Sequence, residues 1–207
     1  MTTQILPAEP RVADTSKDQA AHDSIRVWDP LVRVFHWSLV AAFATAFIVE
    51  DDLLGIHVWA GYLMLALIAL RLVWGFIGTP HARFTDFVRG PRQVLRYLGE
   101  ALRFRAQRFV GHNPAGGAMV IALLALVSAT GISGMALYGA QELSGPLAPL
   151  MGGLSAQWGG ALEETHEVLA NLTLLFIVAH VAGVLFSSIS HGENLVRSMF
   201  TGLKRRD

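Results

Sequence analysis

The sequence predicts an all-α integral membrane protein, a bundle of four transmembrane helices. Hydrophobic residues make up 53% of the 207 residues and charged residues only 15%, whereas soluble domains carry about 25% charged residues. Four apolar stretches are long enough to cross a hydrocarbon core of about 30 Å, which takes about 20 helical residues. The basic residues all lie on one side of these stretches, as is typical of proteins that cross a membrane.

The chain divides into a polar tail and a membrane domain. Residues 1–25 contain Pro7 and Pro10 and no apolar core, which predicts a disordered cytoplasmic tail rather than a cleaved signal peptide. Residues 26–207 form the membrane domain. Its four helices are predicted at about residues 31–49, 54–77, 115–138 and 166–189.

The connections between these helices differ in character. A short acidic turn at residues 50–52 joins the first two helices. Pro91 then opens an amphipathic segment that fits a membrane-surface helix and a solvated connector equally well. Asn113 and Pro114 have the residue types of an N-cap and a first helical residue, so they predict the start of the third helix. Gly and Pro residues between 139 and 165 predict an outer loop with short turns.

The sixteen Lys and Arg residues determine the predicted orientation. They lie before or in the first turn of the first helix, near or after the end of the second, and after the fourth, whereas the opposite face carries acidic residues and no basic ones. The positive-inside rule therefore predicts cytoplasmic termini, with lipid as the surrounding partner. The net charge of zero provides no basic face for nucleic acid.

Eight histidines and the absence of cysteine limit the metal chemistry of the chain. Without cysteine the chain cannot form disulfides, iron–sulfur clusters, thiolate zinc sites or a covalent c-type haem attachment. Any iron site must therefore use His or carboxylate ligands. Ionisable groups at membrane depth are functional by default, and four histidines lie inside or at the mouths of the predicted helices: His36, His57, His166 and His180.

These four histidines fall at two depths. His166 and His180 are fourteen residues apart, which is about 21 Å along a helix and close to four full turns, so both project from one face. In the predicted topology, His57 is level with His166 near the outer surface, and His36 is level with His180 nearer the cytoplasm. Two stacked pairs of imidazoles fit the bis-His ligation of two b-type haems between helices.

Two glycines lie one turn from these ligands. Gly61 follows His57 by four residues and Gly183 follows His180 by three. Their small size leaves room for a flat macrocycle, and close packing of helices would explain the same glycines equally well.

Other readings of the histidines remain open. Glu163 and His166 form half of a di-iron motif whose second copy is missing. A haem-free proton-coupled transporter or scaffold would also use intramembrane histidine, but no Asp, Glu or Lys lies mid-span to pass a proton on. His112 is compatible with contact to a quinone or a haem propionate. His81 and His191 are compatible with contact to propionates or lipid, and His22 has no assigned role.

Five stretches of the sequence resemble one known family. These stretches are WDPLVRVFHW, GIHVWAGYLMLALIALRLVWGF, GHNPAGG, HEVLANLTLLFIVAH and HGENLVRSMFTGLKRR, and together they cover roughly residues 27–206. They resemble the bacterial cytochrome b561 and nickel–iron hydrogenase cytochrome b family, which implies a location in the bacterial inner membrane. The resemblance implies that His36 and His180 bind the cytoplasmic-side haem b, and that His57 and His166 bind the outer haem b.

The resemblance also implies a function. Family members pass electrons between the quinone pool of a respiratory chain and a partner redox protein, so a quinone is an expected second ligand. The acidic outer face favours a basic periplasmic protein such as a c-type cytochrome and disfavours a small anionic oxidant. The alternative is the membrane anchor of a nickel–iron hydrogenase complex. Neither an enzymatic quinone activity nor a homodimer is decided by the sequence.

Overall fold

The computed structural model describes residues 24–50 and 52–206. Most of these residues are helical, and four helices among them are long and apolar enough to cross a membrane. Of the predicted disordered tail, residues 1–25, the first 23 residues lie outside the described part of the chain. For Ser24 and Ile25 that prediction is corrected, because both residues belong to a short strand.

The helices and strands follow one another with short connections. In chain order they are β1 (Ser24–Arg26), α1 (Pro30–Val49), α2 (Leu54–Ile77), α3 (Phe84–Phe87), α4 (Pro91–Leu102), α5 (Pro114–Gln141), α6 (Ala148–Met151), α7 (Ala156–His191), α8 (Leu195–Thr201) and β2 (Leu203–Arg205). A 3₁₀ turn at Pro80–Ala82 precedes α3. The four candidate spans are α1, α2, α5 and α7.

Two of the long helices begin with a capping residue followed by proline. The side chains of Asp29 and Asn113 each accept a hydrogen bond from the backbone N–H three residues later, at 2.9 Å and 2.7 Å. Pro30 and Pro114 occupy the first helical positions of α1 and α5, where the N–H that proline lacks would have no helical partner. The predicted start of the third long helix at Asn113 and Pro114 is therefore confirmed.

The fourth long helix differs from its predicted extent. The prediction is about residues 166–189, whereas α7 runs from Ala156 to His191. The prolines that predict an outer loop, Pro146 and Pro149, both precede Ser155. Beyond Ser155 the chain has no proline as far as residue 191, and the Ala, Leu and Glu residues there favour helix. The outer loop therefore ends ten residues earlier than the sequence pattern indicated.

The long helices pack in a row in which α1 contacts α2, α2 contacts α5, and α5 contacts α7. Within the described residues, α7 has one buried side chain, Thr173. Much of the surface of α7 away from α5 is therefore left for lipid or for a group bound between the helices. The main hydrophobic cluster lies where α1, α2 and α5 meet and consists of Phe35, Ala42, Ala46, Ala60, Met64, Ile68, Leu124 and Val127.

The amphipathic segment after Pro91 forms the helix α4. Tyr97 is buried and its ring packs edge-on against Phe109, with ring centroids 5.8 Å apart. Leu95 and Leu102 are 68% and 80% exposed. An exposed row of leucines beside a membrane bundle fits a helix lying in the membrane surface better than a solvated connector.

The described termini meet at one end of the bundle, where α1 begins and α2 and α7 end; we call this the basic end and the other the acidic end. Here β1 and β2 pair antiparallel, with Ile25 opposite Lys204. The Glu193 carboxylate binds Arg108 Nη2 at 2.5 Å and Lys204 Nζ at 3.2 Å. These three side chains are at most 19% exposed, so this ion cluster fastens the C-terminal segment to the bundle.

The ion cluster sets the protonation of its carboxylate. Burial raises the pKa of Glu193, but the hydrogen bond from Arg108 and the charge of Lys204 lower it more, so its pKa lies below the usual value of 4.5. Because the folded-state pKa is the lower one, the carboxylate stabilises the fold fully above pH 4.5. That stabilisation is lost as the pH falls through the folded-state pKa.

We expect Glu193→Gln to lower the free energy of unfolding by about 3 kcal/mol, because it leaves two buried cations without a carboxylate. Denaturant unfolding of the detergent-solubilised protein measures the change. The matched control is Glu100→Gln, whose pair with Arg96 at 3.8 Å is solvent-exposed and should be worth less than about 1 kcal/mol. Equal effects of the two substitutions would contradict the assignment.

Candidate haem-binding site

Two histidines meet between α2 and α7 near the acidic end. The rings of His57 and His166 have centroids 6.0 Å apart and planes inclined at 76°. His57 Nδ1 lies 3.0 Å from the backbone oxygen of Ala46 on α1. Because a carbonyl oxygen only accepts hydrogen bonds, Nδ1 of His57 carries the hydrogen and the lone pair is on Nε2.

His166 has the same tautomer through contacts with α5. Its Nδ1 lies 3.1 Å from the backbone oxygen of Thr130 and 3.1 Å from Ser133 Oγ. The carbonyl again requires the hydrogen on Nδ1 and puts the lone pair on Nε2. A hydrogen bond of 3.0 Å joins the hydroxyls of Thr130 and Thr173, and Thr173 is fully buried. These bonds hold α5 and α7 in register beside the His166 ring.

The spacing of the two rings fits a shared metal. Metal–imidazole bonds are about 2 Å long, so two nitrogens bound to one metal lie about 4 Å apart and the ring centres about 6 Å apart. The observed separation of the His57 and His166 centroids is 6.0 Å. Ligand histidines commonly donate their second nitrogen to a backbone carbonyl, as both of these do. The donor set at this level therefore fits bis-His ligation of a haem iron.

The second pair lies at the basic end. His36 on α1 and His180 on α7 are close enough for their charges to interact. His36 Nδ1 is buried and has no hydrogen-bond partner within residues 24–50 and 52–206. A buried ring nitrogen without a partner is uncommon in a folded protein, and either ring nitrogen of a neutral histidine can bind a metal. The prediction that these two residues form a pair remains a prediction.

The glycines near the histidines differ in what they do. A Cβ added at Gly61 or Gly183 would meet nothing within 4 Å, so close helix packing does not explain these two glycines. A Cβ added at Gly134 would lie 2.7 Å from Cε1 of His166. Gly134 is therefore needed for the His166 ring to occupy its position, a role that was not predicted from the sequence. The sequence does contain an indication of this role, because Gly134 follows Ser133, a polar residue inside an apolar span.

The remaining histidines have other surroundings. His112 packs between Trp28 and Phe87, with ring centroids 4.7 Å and 4.6 Å away. His81 Nδ1 lies 3.2 Å from Asp86 Oδ2. The ring of His81 is therefore paired with a carboxylate of the protein itself. His22 lies outside the described residues.

The di-iron reading is not supported where the chain is described. Glu163 Oε2 accepts a hydrogen bond of 2.9 Å from Gln141 Nε2. Within residues 24–50 and 52–206, no group of three or more His, Cys, Asp or Glu side chains converges on a common point. The Glu163–His166 motif therefore does not assemble a carboxylate metal site there.

Comparison with known proteins decides the family. The model of the prokaryotic cytochrome b561 family matches residues 27–202. The chain belongs to the prokaryotic cytochrome b561 family. It is therefore a multi-pass membrane cytochrome that binds b-type haem and transfers electrons. The predicted four-helix membrane fold and the predicted family are confirmed.

Two relatives extend over nearly the whole chain. A protein of Bradyrhizobium diazoefficiens named a probable Ni/Fe-hydrogenase B-type cytochrome subunit is 22% identical over 92% of this chain and 90% of its own. A protein of the same name from Rhizobium leguminosarum bv. viciae is 25% identical over 94% of this chain and 95% of its own. No solved structure matches the chain.

His112 gives a prediction for this part of the cytochrome. Burial lowers its pKa to about 3, and the positive charges of Arg71 and Lys204 add to the effect. We expect the His112 ring to stay neutral at about pH 5, well below the usual histidine pKa. Nitrogen NMR of histidine-labelled, reduced protein measures this, with His112→Asn identifying the signal. A midpoint near the usual value would contradict the burial of the ring.

Proposed function

We propose that this cytochrome carries electrons across the membrane through two b-type haems, one held by His57 and His166 and the other by His36 and His180. The haem irons supply the one-electron redox chemistry, and the chain supplies the ligands, their spacing and the surrounding polarity. The observation that carries the proposal is the His57–His166 pair, whose rings are spaced for one metal and have the same tautomer.

The helix α7 supports a two-level arrangement. It is continuous from Ala156 to His191, so the fourteen residues between His166 and His180 correspond to about 21 Å of helix rise. That separation is most of a hydrocarbon thickness of about 30 Å. One ligand pair thus lies near each end of the bundle. This arrangement suits the transfer of electrons from one membrane surface to the other.

The two ends suit different partners. We infer that the basic end faces the cytoplasm of a bacterium and the acidic end the periplasm, because Lys and Arg flank the spans at the basic end alone. In this orientation quinone in the membrane exchanges electrons with one haem and a periplasmic redox protein with the other. The acidic residues Glu142, Glu163, Glu164 and Glu167 would attract a basic partner such as a c-type cytochrome.

A second candidate partner is a nickel–iron hydrogenase. Both relatives described above carry the name of a hydrogenase cytochrome subunit, and each is matched over at least 90% of its length. In that case the electrons enter at the acidic end from the hydrogenase and leave through quinone. Affinity purification of the tagged chain from its native membrane separates the two, because only the second candidate predicts hydrogenase subunits in the complex.

Single substitutions of the four histidines test the haem assignment. We expect His36→Ala and His180→Ala each to lose the same one of the two haems, and His57→Ala and His166→Ala each to lose the other, because each ligand belongs to one pair. Dithionite-reduced difference spectra and pyridine haemochrome assays count the haem that remains. The control is His191→Ala, which should keep both. Loss of the same haem in His36→Ala and His57→Ala would overturn the pairing.

Gly134→Ala tests the site without removing a ligand. The added methyl group lies 2.7 Å from the His166 ring, so the ring must move from its position. We expect the haem at the acidic end to be lost or its midpoint potential to change, while the other haem keeps its potential. Gly159→Ala on the same membrane side is the control, because its Cβ meets nothing within 4 Å. Identical spectra and potentials for Gly134→Ala and the parent chain would contradict the proposal.

A further inference from the structure

Arg71 is a charged residue inside a membrane helix. It lies on α2 and is only 3% exposed. Arg71 is six residues before the end of α2 at Ile77, and His36 is six residues after the start of α1 at Pro30. The two antiparallel helices contact each other, so Arg71 lies at about the same depth as His36, roughly 9 Å inside the basic end.

The contacts of Arg71 leave its charge uncompensated. Nη2 donates to the backbone oxygen of Ala82 at 3.0 Å, and the guanidinium lies 5.1 Å from the centre of the Phe84 ring. Nη1 is buried and has no hydrogen-bond partner within the described part of the chain. No carboxylate there lies within 4 Å of the Arg71 guanidinium. A buried guanidinium without an anion is costly, which indicates that Arg71 has a partner outside the described residues.

The carboxylate of Asp29 is already engaged by other donors. The charge of Asp29 acts on Arg71 from a distance. Asp29 Oδ1 accepts a hydrogen bond from the backbone N–H of Val32, and Oδ2 accepts from Trp74 Nε1 at 3.1 Å and Thr79 Oγ1 at 2.6 Å. Asp29 therefore caps α1 and ties it to the end of α2, and it does not replace a direct partner for Arg71.

A second unsatisfied nitrogen lies at the same end of the bundle as Arg71. Nδ1 of His112 is buried and has no hydrogen-bond partner among the described residues. The charges of both Arg71 and His180 reach the His112 ring. Two aromatic rings join the guanidinium to the imidazole: Arg71 lies over Phe84, the Phe84 and Phe87 ring centroids are 5.8 Å apart, and those of Phe87 and His112 are 4.6 Å apart. Arg71 and His112 therefore belong to one cluster at the basic end, within reach of the charge of His180.

We propose that Arg71 and His112 bind a carboxylate, a propionate group of the haem that His36 and His180 hold. Arginine binds carboxylates strongly because its planar guanidinium matches their geometry. A neutral imidazole adds one hydrogen-bond donor without adding charge. This assignment rests on the proposed function and extends it from the iron ligands to the periphery of the macrocycle.

A phosphate would satisfy the same two groups, and a membrane offers it in anionic lipid headgroups. The 3% exposure of Arg71 favours a group that enters from between the helices over a headgroup that enters from the lipid surface. The experiment therefore follows two quantities in the full haem-loaded chain. The first is the midpoint potential of each haem, and the second is the anionic phospholipid that remains bound after purification.

Arg71→Gln, Arg71→Lys and Arg89→Gln form the test series. Removing a positive charge near a haem disfavours its reduced state, so Arg71→Gln should change the reduced-to-oxidised ratio of the basic-end haem at least about tenfold, a fall of about 59 mV for one electron. Arg71→Lys should recover part of the change. Arg89→Gln should have no effect, because Arg89 is exposed on the same membrane side. His36→Ala identifies the basic-end haem, since that variant lacks it.

The outcomes separate this inference from the proposed function. If both haems of Arg71→Gln are present and keep their potentials, the propionate assignment is overturned and the ligand pairs stand. Loss of bound phospholipid without a change in either potential also overturns it and assigns the pocket to a lipid phosphate. If Arg71→Gln binds no haem, His112→Leu provides the same test. We expect a smaller fall in the midpoint potential of the basic-end haem in this variant. An unchanged potential would overturn the assignment. A parent chain without two haems would instead refute the proposed function.

Discussion

An imidazole inside a membrane must have its N–H group satisfied by the protein, because hydrocarbon offers no hydrogen-bond partner. In this bundle backbone carbonyls do so for both rings of one pair, Ala46 for His57 and Thr130 for His166. Each bond crosses from one helix to another and fixes the tautomer of its ring. The relative placement of all four long helices therefore bears on where the two Nε2 atoms lie.

The two ends of the bundle carry their polar groups differently. At the acidic end, hydrogen bonds among neutral groups such as Ser133, Thr130 and Thr173 surround the histidines. At the basic end, full charges are buried: Glu193 is paired with two cations, while Arg71 has no carboxylate beside it in the part of the chain that the structure describes. A positive environment stabilises the reduced form of a nearby haem. If each end holds one haem, as proposed, this difference would give the two haems unequal potentials.

Much of the fold follows from local properties of the sequence. Hydropathy and length locate α1 and α2 almost to the residue, and the capping residues Asn113 and Pro114 locate the start of α5. The start of α7 at Ala156 was not predicted, because a loop composition rich in Gly and Pro masks a helix that begins after the last proline. Short-range patterns predict where a helix can form, but they locate its first and last residues less well.

The sequence by itself determined four spans, their charge asymmetry and the four histidines at two depths, since hydropathy, charge and helical rise are properties of single segments. Only the tertiary structure decided what surrounds those histidines. Gly134 beside the His166 ring and the uncompensated guanidinium of Arg71 each depend on contacts between residues far apart in the chain. No periodicity within one helix encodes which side chain of another helix will meet it, because that meeting is set by packing of the whole bundle.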